Sequence, residues 1–481
     1  MVEPSFYSIK TEVPSSYMAK FFDFIHSQYL LPQKERFSNF VRQTTSEADI
    51  LSYTVTNTQG QQLLQVEAKS GNPIDVKITP INPAVTKTDL EEAKQDIVIA
   101  LQMFEENARK ATMFFAWREG QEIVPEAYTK PEKSFNRLFL ETQVLFFVVF
   151  IVLGTTIFIT LAAIYPESFW IAPLILIVVQ FFFVFFSNNF IGRTADWQIT
   201  PDNPTIHLLQ FFLPIEEKSF AEKINREKLV AIKKEIYQDI TAKHGEIDPV
   251  FAQSIFEKHG IPIKLEDLTT KKINVYQIVK NIADRFHFPL PKIVVSNTLV
   301  PNAAASGPSP KRGLVLITTG LLVQLEEPEI TSVLGHEFGH LRGRDPLILY
   351  GLTSAEFLFR FYVLLPLLPV LFSTFLFFVY FWGVMVVIFF IAKFFEARAD
   401  LVSAIMVGQP TVLAASLEKI GFQRLLYERT PSYRVQEWIG LDPHPPIYFR
   451  VNRLARLEPA TIKHPLLQSI RDVFSGFLAS L

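Results

Sequence analysis

The feature that most constrains this chain is the sequence GHEFGH at residues 335–340, which places His336 and His340 four residues apart. On an α-helix such residues lie one above the other on the same face, so both imidazoles can bind one metal ion. Two imidazoles leave room at zinc for a third protein ligand and a water, and Glu337 can take a proton from that water. The alternative is a helix with two solvated or core histidines and an incidental glutamate.

The composition limits what else the chain can be. Lys and Arg total 46 against 48 Asp and Glu, a formal net charge of -2, which argues against a nucleic-acid-binding protein. The 481 residues include no cysteine, so a zinc ion would have to be bound by histidine and carboxylate side chains. Hydrophobic residues make up 49% of the chain, with 46 Phe, which indicates membrane segments.

The first 137 residues have the pattern of a separate soluble domain. Three strand-like runs between Ile50 and Thr79 are separated by turn sequences, and a long helix is predicted from Asp89 to about Trp117. No catalytic group of residues is evident there. We therefore expect a small α+β accessory domain at residues 1–137.

A first transmembrane hairpin is predicted at residues 138–192. Residues 142–166 and 168–192 contain no charged side chain, and each stretch is long enough to span a bilayer. Basic residues flank the hairpin and none lies at its tip, which predicts cytoplasmic flanks by the positive-inside rule.

A second apolar stretch, residues 347–393, is too long for one span and predicts a second hairpin. Glu356 and Arg360 lie four apart within it and can form an ion pair. Such a pair is either functional or simply faces the interface or the other helices, and the sequence leaves both readings open.

A third metal ligand is predicted directly after this second hairpin. A hairpin inserted after His340 returns the chain to the side of the membrane from which it started, so Glu396 can reach the same ion as the two histidines. Asp400, one helical turn later, can accept the ring N–H of a ligating histidine. The competing interpretation is an ordinary charged patch at the end of a membrane helix.

These motifs together resemble the integral-membrane zinc peptidases that include the HtpX heat-shock protease and the CAAX prenyl proteases. The matching sequences, in order, are NAAASG at 302–307, TTGLL at 318–322, HEFGH at 336–340 with Asp345, EARAD at 396–400, and HPP at 444–446 with Arg450. The resemblance extends from about Gln143 to Leu457. It is closest to the HtpX type, although the domain at 1–137 has no counterpart in that type.

The resemblance implies further site residues. It implies that an edge strand binds the substrate backbone, with the segment formed by Asn302, Ala303, Ala304 and Ala305. His444 and Arg450 would stabilise the oxyanion that develops during peptide hydrolysis. The competing interpretations are a plain Ala-rich loop and a Pro-rich helix start with a surface arginine.

The predicted fold class is mainly α with small β elements. It combines a four-helix transmembrane bundle of two hairpins, a cytoplasmic zincin-like α+β peptidase domain at 193–346 and 394–481, and the N-terminal accessory domain. The predicted function is that of a multi-pass zinc endopeptidase of the cell membrane with one Zn²⁺ per chain. Its partners would be protein or peptide substrates, such as misfolded membrane proteins, and the lipid bilayer, with no nucleic acid. A CAAX-type prenyl protease and a catalytically silent membrane scaffold are the alternatives, and a transporter is disfavoured.

Overall fold

The structure is a computed structural model that describes residues 2–45, 48–57, 59–118, 170–186, 195–212, 226–242, 247–372 and 375–481, with isolated positions between 154 and 192. The strands are β1 Ser5–Ile9, β2 Phe37–Thr44, β3 Asp49–Thr56, β4 Gln62–Lys69, β5 Ile74–Pro80, β6 Thr112–Arg118, β7 Trp197–Ile199, β8 Thr205–Phe212, β9 Leu268–Asn274, β10 Lys292–Ser296, β11 Ala303–Ser306 and β12 Leu314–Thr318.

The α-helices are α1 Met18–Phe24, α2 Lys87–Ala111, α3 Ala172–Phe185, α4 Arg226–Ala242, α5 Pro249–Lys258, α6 Val275–Phe286, α7 Thr319–Gln324, α8 Glu327–Gly343, α9 Asp345–Phe359, α10 Leu365–Leu367, α11 Pro369–Phe372, α12 Leu376–Val407, α13 Pro410–Ile420, α14 Phe422–Glu428, α15 Pro431–Ile439, α16 Ile447–Ala455 and α17 Pro465–Leu478. The predicted mainly helical fold class with small β elements is confirmed.

The chain divides into two compact units that interleave along the sequence. Unit 1 comprises Met1–Ile123, Ile206–Lys272 and Glu418–Leu426, and unit 2 comprises Val124–Thr205, Ile273–Leu417 and Tyr427–Leu481. The described part of the N-terminal domain predicted at 1–137 therefore shares its unit with later segments of the chain.

Unit 1 contains a five-stranded antiparallel sheet in the order β1-β5-β4-β3-β2. The predicted helix from Asp89 to Trp117 is wrong at its C-terminal end, because α2 stops at Ala111 and Thr112–Arg118 is a strand. This run is rich in aromatic residues, pairs with β8 and contributes Phe115 and Trp117 to a buried core. Tertiary pairing outweighs the helical continuation of α2.

Unit 2 carries a four-stranded sheet in the order β11-β12-β10-β7. Strands β10 and β12 are parallel, and β11 pairs antiparallel with β12 at the edge. Strand β12 runs into the short helix α7, and then into α8, the helix that carries the two histidines, which we call the motif helix. Its start is fixed by a capping box between Glu326 and Glu329, and it ends at Arg344, whose φ is 53°.

Two helical segments of the described part of the chain are long and apolar enough to cross a membrane, namely Asp345–Leu367 and Leu376–Val407. Together they cover the predicted second hairpin. Of the predicted first hairpin, the structure describes the apolar helix α3, whereas the segment 142–166 lies largely outside the described residues.

Candidate metal centre

Three glycines at intervals of four on the motif helix let it approach α12 closely. A Cβ atom on Gly335 would lie 2.7 Å from the Ser403 hydroxyl, and one on Gly339 would lie 2.9 Å from the Cα atom of Ala399. Larger side chains would hold the two helices apart. The glycine ridge therefore places the backbone of α12, and with it Glu396 and Asp400, beside the two histidines.

The side chains of His336, His340 and Glu396 converge at this crossing, and their donor atoms all lie within 4.8 Å of one another. The two Nε2 atoms are 3.1 Å apart. The two carboxylate oxygens of Glu396 lie 3.3 Å from the Nε2 atoms of His336 and His340, one oxygen to each ring. Two donors bound to one zinc ion at about 2.1 Å in tetrahedral geometry would be about 3.4 Å apart. The donor set fits zinc.

Each histidine ring is oriented by its own carboxylate. Nδ1 of His336 lies 2.9 Å from Asp400, and Nδ1 of His340 lies 2.8 Å from Asp345. An Nδ1–H that donates to a carboxylate leaves the Nε2 lone pair of that ring directed at the other ligands. Lone pairs then face one another across the site, and Glu396 Oε2 is buried without a hydrogen-bond partner. A cation between these atoms removes the repulsion.

The same carboxylates shift the titration of both rings. Burial disfavours a charged His336, but the neighbouring carboxylates of Asp400 and Glu396 outweigh burial and raise its pKa. For His340, burial is again opposed, here by the Glu396 charge and the Asp345 hydrogen bond, and the pKa is raised well above its ordinary value. The site therefore favours positive charge at the ring nitrogens, whether from a proton or from a metal ion.

An arginine fixes each of these orienting carboxylates. Arg450 is buried and donates to both oxygens of Asp400, at 2.9 and 2.7 Å. Arg398 Nη2 lies 2.6 Å from each oxygen of Asp345. Burial alone would lower the pKa of Arg450, but the Asp400 charge raises it, so the guanidinium stays charged. The site thus has two parallel arrangements, each an arginine, an aspartate and a ligating imidazole.

The remaining predicted site residues surround this group. Glu337 is half-buried, and one of its carboxylate oxygens accepts a hydrogen bond of 3.0 Å from the backbone N–H of Ala305. His444 lies on the more exposed side, with its Nε2 3.7 Å from Glu396 and its Nδ1 2.8 Å from Asp442. The third nitrogen of Arg450 is 4.0 Å from Glu396. All the predicted residues therefore lie in one region of unit 2.

The segment 302–305 lies at the sheet edge, with Ala303–Ser306 forming β11. The backbone carbonyl of Asn302 accepts from the N–H of Thr318, so residues 302, 304 and 306 turn their peptide groups toward β12. Ala303 and Ala305 turn theirs away from the sheet, and the Ala305 N–H reaches Glu337.

Sequence reasoning assigned no role to Asp345, Arg398 or Asp442. Asp345 follows His340 by five residues, and Arg398 lies between Glu396 and Asp400, so both stood inside the quoted motifs. The roles of Asp345 and Arg398 were not predictable because each acts on a side chain of another helix, whereas Asp442 acts on His444 within the same turn. Proximity to a ligand in the sequence was the only available signal.

Two histidines one helical turn apart and a glutamate from a second helix define the kind of metal centre found in zinc metallopeptidases. In agreement, residues 269–458 match the profile of Peptidase family M48. The predicted resemblance to HtpX-type membrane metallopeptidases is thereby confirmed.

Named relatives show the same resemblance. The chain is 42% identical over 74 residues to a "Protease HtpX homolog" of Thermodesulfovibrio yellowstonii, covering 15% of this chain and 26% of the relative. It is 45% identical over 74 residues to "Protease HtpX" of Legionella pneumophila, covering 15% and 26%. To "Protease HtpX homolog 2" of Methanosarcina acetivorans it is 32% identical over 170 residues, covering 32% and 56%. The chain thus spans between a quarter and rather more than half of these relatives.

Among solved structures, S. mikatae Ste24p is similar with a TM-score of 0.28 and 17% sequence identity, covering 36% of this chain and 48% of that chain. A similarity at that level does not establish a shared fold.

Proposed function

We propose that the protein is a membrane-embedded zinc endopeptidase that hydrolyses peptide bonds of misfolded or damaged membrane proteins. The observation that carries this proposal is the convergence of three metal-donor side chains, two of them histidines oriented by carboxylates, beside a glutamate and an edge strand. The family match to 269–458 supports peptidase chemistry. The printed names of the HtpX relatives support protease activity, whereas the quality-control role is our extension.

We place the catalytic function in unit 2 and an accessory role in unit 1. Two hairpins of spanning helices, with the metal centre on the cytoplasmic side, are the layout that the sequence favours. The two described spans support this layout, because α8, which carries His336 and His340, ends where the first of them begins, and Glu396 lies in the second.

Zinc, when held by His336, His340 and Glu396, supplies a Lewis acid that polarises the attacking water and the scissile carbonyl. Glu337 acts as the general base that takes the proton of this water and then passes it to the leaving amine. The hydrogen bond from Ala305 fixes one of its carboxylate oxygens and so orients the group.

His444 is placed to donate to the developing oxyanion, because its ring is 40% exposed and Asp442 holds its Nδ1. For Arg450 we propose a different role from the predicted one. Two of its nitrogens bind Asp400, so it acts on His336 through that carboxylate. Its contribution is to position the ligand.

The substrate is proposed to add as a strand beside β11. Its backbone would bind the peptide group of Ala303 and the carbonyl of Ala305, which turn away from β12, while the Ala305 N–H stays on Glu337. The small side chains of 303–305 allow a peptide backbone to come close to the ligands. An unfolded segment satisfies this geometry better than a folded domain, because its backbone is available for pairing.

The decisive experiment compares Glu337→Gln with Glu327→Gln, an exposed glutamate in the first turn of the same helix. Purified protein should contain about one zinc and cleave casein, and Glu337→Gln should lose about 10²- to 10⁴-fold in kcat while retaining the metal. Glu327→Gln should behave as wild type. Full activity of Glu337→Gln would overturn the mechanism, and wild type without tightly bound zinc would support a silent scaffold. Preference for a farnesylated peptide over casein would support a CAAX-type protease.

A further inference from the structure

The C-terminal helix α17 presents an apolar stripe to the outside of the described structure. Leu467 and Leu478 are each 65% exposed and Phe474 is 47% exposed, and the three lie on one helical face at intervals of seven and four. The opposite face is anchored, with Ser469 and Val473 fully buried. The helix is therefore fixed in orientation with Leu467 and Leu478 pointing outward.

This stripe adjoins the end of a candidate membrane span. The ring of Phe474 lies 5.5 Å from that of Phe390 and 5.4 Å from that of Phe394, both on α12. Leu376–Ala392 has no charged side chain, and Lys393 ends that run, which extends for about 25 Å at the rise of an α-helix. The contact of α17 with α12 therefore lies where the apolar part of the span ends.

That depth corresponds to the boundary between acyl chains and headgroups. Arg471 lies within the exposed stripe, and an arginine at this depth extends its guanidinium to lipid phosphates while its stem stays apolar. Exposed leucines and phenylalanine around a single arginine fit this boundary better than they fit water.

We propose that α17 lies in the headgroup–acyl boundary of the bilayer as an amphipathic helix, with Leu467, Phe474 and Leu478 inserted among the lipids. This proposal rests on the membrane placement within the proposed function. The helix buries its other face through Val473 and Phe477, which pack with Trp438 and Phe390, so the catalytic unit gains a lipid contact in addition to its spans.

The absence of cysteine from the chain allows a direct test with single-cysteine variants of the full-length protein. Leu467→Cys and Leu478→Cys are labelled with the fluorophore NBD and reconstituted in phosphatidylcholine–phosphatidylglycerol vesicles that carry spin-labelled lipids. Val379→Cys, an exposed position of the span, reports the bilayer interior, and Glu327→Cys reports water.

We expect spin labels near the headgroup end of the acyl chain to lower NBD emission at 467 and 478 by about twofold or more, and deep labels to act less. Position 379 should respond most to deep labels, and position 327 to neither. Unquenched emission at 467 and 478 with quenching at 379 would overturn the proposal. A blue-shifted but unquenched signal would assign the stripe to a second copy or another protein instead. Absence of quenching at 379 as well would overturn the membrane placement and this inference together.

Discussion

Each unit contains a buried cluster of charged side chains. The two clusters are built from similar residues but differ in whether their donor atoms converge on one point. In unit 1, Glu105 accepts hydrogen bonds from the Thr11 hydroxyl at 2.6 Å and from the Glu12 N–H at 3.1 Å, while Glu12 pairs with Arg109 at 2.6 Å. In unit 2, the orienting carboxylates are equally well supplied with donors, but three metal-donor atoms face one another.

The two clusters differ in how their buried charge is neutralised, and this difference distinguishes a metal centre from a structural acid cluster. Burial, together with the neighbouring Glu12 charge, raises the pKa of Glu105 to about 7, so a proton neutralises it within its own network. Around His336 and His340, the orienting hydrogen bonds at Nδ1 direct the remaining lone pairs inward. Buried acids alone do not indicate a metal, whereas converging lone pairs do.

The largest expected effect comes from removing a metal donor. Glu396→Gln should weaken zinc binding by more than about 100-fold and abolish cleavage, because the neutral amide cannot match the charge of the two-imidazole site. Zinc titration with a competing chelator measures this. Glu12→Gln, which neutralises a buried acid of the other cluster, should leave zinc affinity unchanged. Equal losses in the two variants would contradict the distinction drawn between the clusters.

Removal of an orienting carboxylate should have the next largest effect. Asp345→Asn and Asp400→Asn should each reduce zinc affinity or kcat by about 10- to 100-fold, because the histidine loses its fixed tautomer and orientation. Asp472→Asn is the matched control, since Asp472 pairs with Arg453 instead of a ligand. A loss as large in Asp472→Asn would show that general destabilisation, and not ligand orientation, explains the result.

A smaller effect is expected when an orienting residue is displaced sterically. A Cβ atom on Gly343 would lie 1.6 Å from Arg398 Nη2, so Gly343→Ala should push the guanidinium off Asp345. We expect a cost of about 1–3 kcal/mol in stability and a loss of about tenfold in kcat, measured by thermal unfolding and casein cleavage. Gly351→Ala, on the next helix, meets nothing within 4 Å and should be neutral. A wild-type kcat in Gly343→Ala would show that Arg398 does not contribute to orienting the ligands.

The smallest expected effect is the pH dependence of stability that Glu105 of unit 1 produces. The pKa of Glu105 is raised from 4.5 to about 7, so its contribution to stability is fully present below pH 4.5 and is lost as the pH rises through 7. Glu105→Gln should match wild type at low pH and exceed it by about 1–3 kcal/mol at pH 8. The difference in Tm between the two proteins across this range measures it. A constant difference would mean that Glu105 does not titrate in the folded protein.

Several local elements were predictable from sequence because their information is local. The helix at Val275–Phe286 and the strand at Lys292–Ser296 were predictable from periodicity and flanking prolines, and the structure has both. The spacing of His336 and His340 places both rings on one helical face whatever surrounds them. At Thr112–Arg118 the same kind of reasoning failed, since pairing with a distant strand decides that segment.

The sequence by itself determined which side chains could hold a metal ion: two imidazoles fixed by helical spacing, with further histidines or carboxylates as the other ligands in a cysteine-free chain. Only the tertiary structure decided how those ligands are held. The glycine ridge brings the motif helix against α12, which pairs Arg398 with Asp345, and the packing of α16 on α12 pairs Arg450 with Asp400. These pairs depend on the distance and angle between helices, which single-residue spacing does not encode.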